Sequence, residues 1–278
     1  MRLRHIPCLL LLFAYADVGA SDVYASLNRL RSGEGPCGAT QRLAPLRPQV
    51  ALERAAADLA HGRGLAQSLA AADYRATHAE VIALRGDGIG ARVAGLLASP
   101  RYCPQLQDAA ATEMGIYLTA GAVWIVIAAP FAPAADMDRQ AVGQVVLDLV
   151  NRARATARSC GNMAFAAAPP LRWNETLAAT ARRHATDMAR FDYFSHSGRD
   201  GSTPAQRVER AGYRYRATGE NIAGGQLQAA AAVAGWISSP PHCANLMNSA
   251  FTEMGVAYAF ERKSKLGIYW AQEFGTPR

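Results

Sequence analysis

The second half of the chain alternates between two hydrophobic periods. From Gln144 to Arg158, Val145, Val146, Leu149 and Val150 recur at the spacing of one helix face. Asn174 is a strong N-cap, and the stripe Leu177, Ala181, His184 and Met188 predicts a second helix running to about Arg190. Asp200-Gly201 signals a turn, and Thr203-Pro204 opens a third helix with Thr as cap and Pro in its first turn. Gln226 to Ser238 is an alanine-rich helix stopped by Ser-Ser-Pro-Pro. Beyond it Met254, Val256, Tyr258 and Phe260 alternate, as do Ile268, Trp270 and Gln272, with a charged turn at Glu261–Leu266: a β-hairpin. Helices and strands do not alternate strictly, which predicts an α+β layered domain rather than a doubly wound sheet.

The start of the chain is different. Arg2, Arg4 and His5 precede a short apolar run, Cys8 to Phe13, and Val18-Gly19-Ala20 offers small residues for cleavage. Residues 1–20 therefore read as a secretory signal. The run is shorter than the ~20 apolar residues that span a bilayer, and no later segment is long and apolar enough to do so.

Comparing the chain with itself exposes a repeat. Leu27-Asn28-Arg29-Leu30-Arg31 matches Val150-Asn151-Arg152-Ala153-Arg154, Pro45-Leu46-Arg47 matches Pro170-Leu171-Arg172, and Tyr74-Arg75-Ala76-Thr77 matches Tyr215-Arg216-Ala217-Thr218. Ser99-Pro100, Cys103 and Thr112-Glu113-Met114-Gly115 match Ser239-Pro240, Cys243 and Thr252-Glu253-Met254-Gly255. The offset grows along the chain, so the first copy lacks some fifteen residues between about Gly62 and Tyr74. The expected organisation is a signal at 1–20, a degenerate first domain at 21–129, a Pro/Ala linker at 130–140 and a complete second domain at 141–278.

Four cysteines remain after the signal, an even number with no C-x-x-C pair, which favours disulfides in an exported chain. Four cysteines allow three connectivities, but each copy owns an equivalent pair. The economical pairing is Cys37–Cys103 and Cys160–Cys243, each bridge contributing roughly 2–4 kcal/mol if unstrained. Charge is uneven: residues 21–138 carry −1, whereas 139–278 carry +7, with 17 basic and 10 acidic residues. The basic half suits contact with an anionic envelope surface. No nucleic-acid motif or Gly-rich phosphate loop occurs, so those partners are set aside.

The second copy also carries, in order, Tyr193-Phe194-Ser195-His196, Gly219-Glu220-Asn221-Ile222-Ala223, Trp236 with Ser239, His242-Cys243-Ala244-Asn245 and Tyr269-Trp270-x-Gln272-x-Phe274. This series resembles the CAP superfamily (cysteine-rich secretory, antigen 5 and pathogenesis-related proteins; SCP domain), most closely its bacterial branch, over residues 144–277. The resemblance implies two tandem α-β-α sandwich domains, the first truncated, and a central cleft lined in the family by two histidines and two glutamates. Those positions fall on His196, Glu220 and His242. The fourth, a glutamate three residues after the Trp in many animal and plant members, is Ser239. Some family members hold a divalent metal in the cleft, which implies Zn or another divalent ion on His196 and His242 with Glu220.

Ser239, Asn221 and Glu253 are expected at the cleft as well, Asn221 and Asn245 tying down backbone. His184 and Trp236 are expected in the core. In the first copy the His196 segment falls in the gap, Tyr102 replaces His242, and His78-Ala79-Glu80 stands at the Gly-Glu-Asn region; neither His61 nor His78 rebuilds the set. These features predict a secreted or periplasmic binding protein, more readily a non-enzyme, whose cleft takes a lipid, glycan or peptide. A metal-dependent hydrolase with His196, Glu220 and His242 as catalytic groups, and a structural envelope or adhesion protein, are the alternatives.

Overall fold

A computed structural model describes residues 19–33, 37, 43–133, 137 and 141–278. The signal segment expected at 1–20 lies almost wholly outside the described residues, as does most of the linker expected at 130–140. The chain divides into two compact units, one ending at Pro130 and the other beginning at Phe131.

In the first unit, α1 (Ala20–Arg31) is followed by β1 (Arg47–Pro48), α2 (Val50–Ala60), α3 (Leu65–Ala71) and β2 (Ala76–Arg85). Then come α4 (Ile89–Leu97), a 3-10 turn (Pro100–Tyr102), the short α5 (Cys103–Leu106), β3 (Glu113–Thr119) and β4 (Ala122–Pro130). Its four strands lie in the order β1-β3-β4-β2, with β1 parallel to β3 and the other pairs antiparallel.

The second unit begins with α6 (Ala141–Arg154), the small hairpin β5 (Arg158–Cys160) and β6 (Met163–Phe165), β7 (Arg172–Trp173) and α7 (Glu175–Phe191). It continues with α8 (Pro204–Arg210), β8 (Tyr215–Gly224), α9 (Ala229–Ser238), α10 (Pro240–Met247), β9 (Glu253–Phe260) and β10 (Ile268–Pro277). Its sheet, β7-β9-β10-β8, repeats the topology of the first. The protein is thus α+β with two mixed four-stranded sheets.

Local chemistry explains these elements. Asn174 accepts from the Leu177 N–H and starts α7, and Asp192 stops it with a left-handed φ of 51°. Thr203 and Gln206 form a reciprocal capping box around α8, with Pro204 in its first turn. The Ser-Ser-Pro-Pro segment does more than stop α9. Pro240 and Pro241 sit in the first turn of α10, where a missing N–H costs nothing, so a stop signal is also a start signal.

The two units share a polar frame as well as a topology. Asn28 and Asn151 each bond both the N–H and the C=O of one residue, Leu46 and Leu171 respectively. Arg31 donates to the carbonyls of Ala44, Leu106, Asp108 and Ala111, while Arg154 donates to those of Pro169, Leu246, Asn248 and Phe251. Burial lowers the Arg154 pKa to about 10, so it stays charged at neutral pH, and its charge strengthens each of those bonds. The disulfides join Cys37 to Cys103 and Cys160 to Cys243, the pairing expected from the duplication.

The frame also corrects the alignment of the repeat. Tyr74 hydroxyl donates to Glu113 and Tyr213 hydroxyl to Glu253, so Tyr74 corresponds to Tyr213, not Tyr215. Strand pairing carries this offset into β2: Ala79 faces Ala128 as Thr218 faces Gly275. Glu220 and Asn221 therefore correspond to Val81 and Ile82, not to His78-Ala79-Glu80. The extra residues of the second unit fall between the last turns of α7 and the start of α8, ahead of the stretch expected.

Glycine at the Thr-Glu-Met-Gly positions lets a helix lie directly on the sheet. A Cβ on Gly115 would come within 2.1 Å of the Leu52 backbone, and one on Gly255 within 2.0 Å of the Ala178 nitrogen. Gly255→Ala must separate α7 from β9 and should cost about 3 kcal/mol or more in urea unfolding. Gly235→Ala, on α9, where a Cβ would meet only the Gln226 amide at 3.8 Å, should be neutral or stabilise by up to about 1 kcal/mol. Equal effects of the two would refute the close-approach account.

Candidate functional site

The site is built on β8, where Glu220 is buried with its side chain 1% exposed. A carboxylate in that position needs donors, and the surrounding loops supply them. His196 Nδ1 donates to Glu220 Oε1 at 2.7 Å, and Arg207, from α8, donates to Oε2 at 2.6 Å. Arg207 also donates to the carbonyls of His196 and Ser202, so one guanidinium fixes both the carboxylate and the loop that carries His196. From α7, His184 places Nε2 at 3.8 Å from Glu220 Oε2 and donates to the Ser195 carbonyl at 3.0 Å.

Directly across the strand pair, Glu273 on β10 is in register with Glu220. It is fully buried, and no donor among the described residues reaches either of its oxygens. Two carboxyls side by side out of water cannot both ionise. Burial, reinforced by the neighbouring Glu220, pushes the Glu273 pKa well above the carboxylate range, which favours its protonated form beside the Glu220 carboxylate. Burial by itself would also raise Glu220. The His196 hydrogen bond and the positive side chain of Arg207 more than reverse that, and its pKa lies below the ordinary value.

His242 enters from α10. Its ring centroid is 6.4 Å from that of His196. The backbone beside it is held firmly: Cys243 is in the disulfide to Cys160, and Asn221 donates to the His242 carbonyl. Asn245 ties α10 to β8 by donating to the Glu220 carbonyl and the Asn221 side chain. Burial, with a smaller contribution from His196, lowers the His242 pKa, so its imidazole is neutral at neutral pH. The side chain of His196 is 49% exposed, and neither its Nε2 nor the His242 ring has a protein hydrogen-bond partner among the described residues.

The three residues expected to converge, His196, Glu220 and His242, are thus brought together. The others are not. Glu253 lies at the N-terminal end of α7, accepting from Arg172, Asn174 and Tyr213. It belongs to the frame rather than to the cleft, because those three donors already hold it. Asn221 is wholly buried and bonds backbone and Gln272, so it positions α10 and does not face a cleft. Ser239 is half-buried at the junction of α9 and α10 and makes no side-chain cap. Ser195 Oγ accepts from the Ser197 N–H, while His196 turns to Glu220, so these neighbours form no nucleophile–base pair.

Arg207 and Glu273 are the members that sequence reasoning did not find. Glu273 leaves a trace, an acid in the strand run Ile268 to Phe274, whose only other strongly polar side chain is Gln272, where a buried charge is costly. Arg207 leaves none among the other arginines of its half. The donor set does not suit a divalent ion. Both Glu220 oxygens are taken, and among the described residues no cluster of three His, Cys, Asp or Glu side chains is placed to hold a metal.

Residues 147–274 match the Cysteine-rich secretory protein family, CAP. YkwD from Bacillus subtilis, an uncharacterized protein, is 35% identical over 105 residues, 38% of this chain and 39% of that protein. YlbC from the same organism, an uncharacterized membrane protein, is 35% identical over 104 residues, 37% of this chain and 28% of that one. The chain thus spans well under half the length of these curated relatives. An extracellular protein containing an SCP domain from Bacillus anthracis is 24% identical, with a TM-score of 0.41, over 58% of this chain and 56% of that one.

A shared proton between Glu220 and Glu273 has a consequence for stability. A carboxyl whose native pKa is raised stabilises the fold below its unfolded pKa, near 4.5, and loses that contribution as pH rises toward the native value. Glu273→Gln keeps the shape and cannot ionise. Its stability relative to the parent should rise with pH above 4.5, by about 1.4 kcal/mol per pH unit while native Glu273 keeps its proton. Urea unfolding at several pH values checks this, and a pH-independent difference would refute the shared proton.

Proposed function

With residues 147–274 forming a CAP domain, we propose that this is an exported binding protein that takes a polar ligand, a glycan or a peptide, at the His196–His242 face. The observation that carries the reading is the state of Glu220. Its two oxygens are occupied by His196 and Arg207, and Glu273 adds a third partner, so it is a fixed anchor rather than a base free to move protons. It holds Nδ1 of His196 as a donor, which leaves Nε2 as the ring nitrogen available to a ligand. With His242 neutral beside it, two imidazoles stand ready to bond hydroxyl or amide groups.

The polarity of the face favours a glycan or peptide over a lipid. Export is supported by the two disulfides and by the basic-apolar start of the sequence. A metal-dependent hydrolase would need Glu220 or a third ligand to be free, which weighs against that alternative.

Oligosaccharide and peptide panels tested by thermal shift and calorimetry should yield a saturable ligand whose affinity His242→Ala lowers about tenfold, or ~1.4 kcal/mol. Folding should be retained, because the Cys243 disulfide and Asn221 bond backbone and cysteine rather than the ring. Binding indifferent to His242→Ala would remove the proposal. So would hydrolysis abolished by a chelator, which would favour the metal-dependent alternative.

A further inference from the structure

A second feature of the same unit lies along the outer face of α7. Two adjoining grooves run there. One, of about 640 Å³, is bordered by Arg183, His184, Asp187, Arg199, Arg207 and Arg210. The other, of about 240 Å³, is bordered by Arg182, Arg183, Asp187, Arg190 and Phe191. Arg183 and Asp187 line both, so the two form one continuous track.

The charges of this track do not cancel. Arg207 is neutralised by Glu220 and Arg210 by Asp200 at 2.7 Å. Asp187, the remaining acid, accepts from the Tyr193 hydroxyl at 2.6 Å. Arg182, Arg183, Arg190 and Arg199 are exposed, and none takes part in a carboxylate ion pair among the described residues. Two of them are held in place without being neutralised: the guanidinium of Arg199 lies 3.8 Å from the Phe191 ring centroid and that of Arg190 5.3 Å. A cation stacked on a ring keeps its N–H edges available for a ligand.

The spacing selects the ligand. Arg183 and Arg190 are seven residues apart on one helix face, a separation of about 10 Å along the axis. One phosphate or carboxylate cannot bridge that distance. Four guanidiniums over such a span ask for a chain with several charges in succession. The larger groove runs between α7, α8 and the 198–202 loop and the smaller one continues along α7, a linear path that suits a chain.

We propose that this track binds an extended polyanion, a linear chain of phosphate groups, through Arg182, Arg183, Arg190 and Arg199. The groove borders the Glu220 network through His184 and Arg207, whereas the four arginines named make no ion pair with that network among the described residues. A common alternative is that such charges are a solvated helix surface, and the control variant below addresses it.

The test uses fluorescently labelled linear inorganic polyphosphate with the full protein, and anisotropy as the readout. Binding should be saturable and should weaken steeply with salt, as expected where several phosphates are neutralised. Arg183→Gln/Arg190→Gln should weaken it at least tenfold with thermal stability unchanged. Arg54→Gln/Arg92→Gln, which removes the same charge from exposed positions in the other unit, should leave it within twofold. Equal loss in both double variants would overturn the proposal in favour of diffuse net charge. Competition by orthophosphate at equal phosphate concentration would overturn the extended ligand. Binding to phosphatidylglycerol vesicles but not to polyphosphate would overturn the chain in favour of a lipid surface.

Discussion

A carboxylate removed from water costs several kcal/mol unless donors replace the lost hydration. In the C-terminal unit that carboxylate is Glu220, and the surrounding structure meets the cost from three directions. His196 and Arg207 donate from the segment between α7 and β8, and Glu273 supplies a proton across the strand pair. Because Arg207 also holds the His196 and Ser202 carbonyls, the loop is ordered by the same guanidinium that neutralises the acid. The site and the local fold are one electrostatic arrangement.

The first unit shows what happens without that carboxylate. Strand register places Val81 and Ile82 where the second unit has Glu220 and Asn221, and Ile125 and Val126 where it has Gln272 and Glu273. Four polar residues that depend on one another are replaced together by four apolar ones. This is the expected pattern, since a half-satisfied buried network is worse than an apolar core. The frame meanwhile survives in both units: Asn28 and Asn151, Arg31 and Arg154, Tyr74 and Tyr213, Glu113 and Glu253. These residues satisfy backbone groups at the same chain crossings, a demand set by topology and independent of any ligand.

The arginines of the second unit divide by task. Arg154 and Arg207 are turned inward, onto carbonyls and onto Glu220. Arg172 and Arg210 are paired with Glu253 and Asp200 at the surface. Arg182, Arg183, Arg190 and Arg199, along α7 and on the following loop, are exposed and make no carboxylate ion pair among the described residues.

Much of this was legible in the residues themselves. Cap residues and periodicity located α7 and α8, alternation located the β9–β10 hairpin, and the duplicated cysteines paired themselves, because local backbone chemistry and side-chain period are properties of short segments. The convergence of His196, Glu220 and His242 was readable from family motifs. Glu253 was not, since the same Thr-Glu-Met-Gly signature serves the frame in both units. Nor was Glu273: its partner is 53 positions away along the chain and becomes a neighbour only through the register of β8 with β10. A β2 alignment two residues out of register put the wrong residues opposite Glu220, and only inter-strand pairing could set it right. The sequence determined which segments are helix and strand and which cysteines are equivalent. Tertiary structure alone decided which charges lie buried side by side, because burial and dielectric belong to the packed chain and not to any stretch of it.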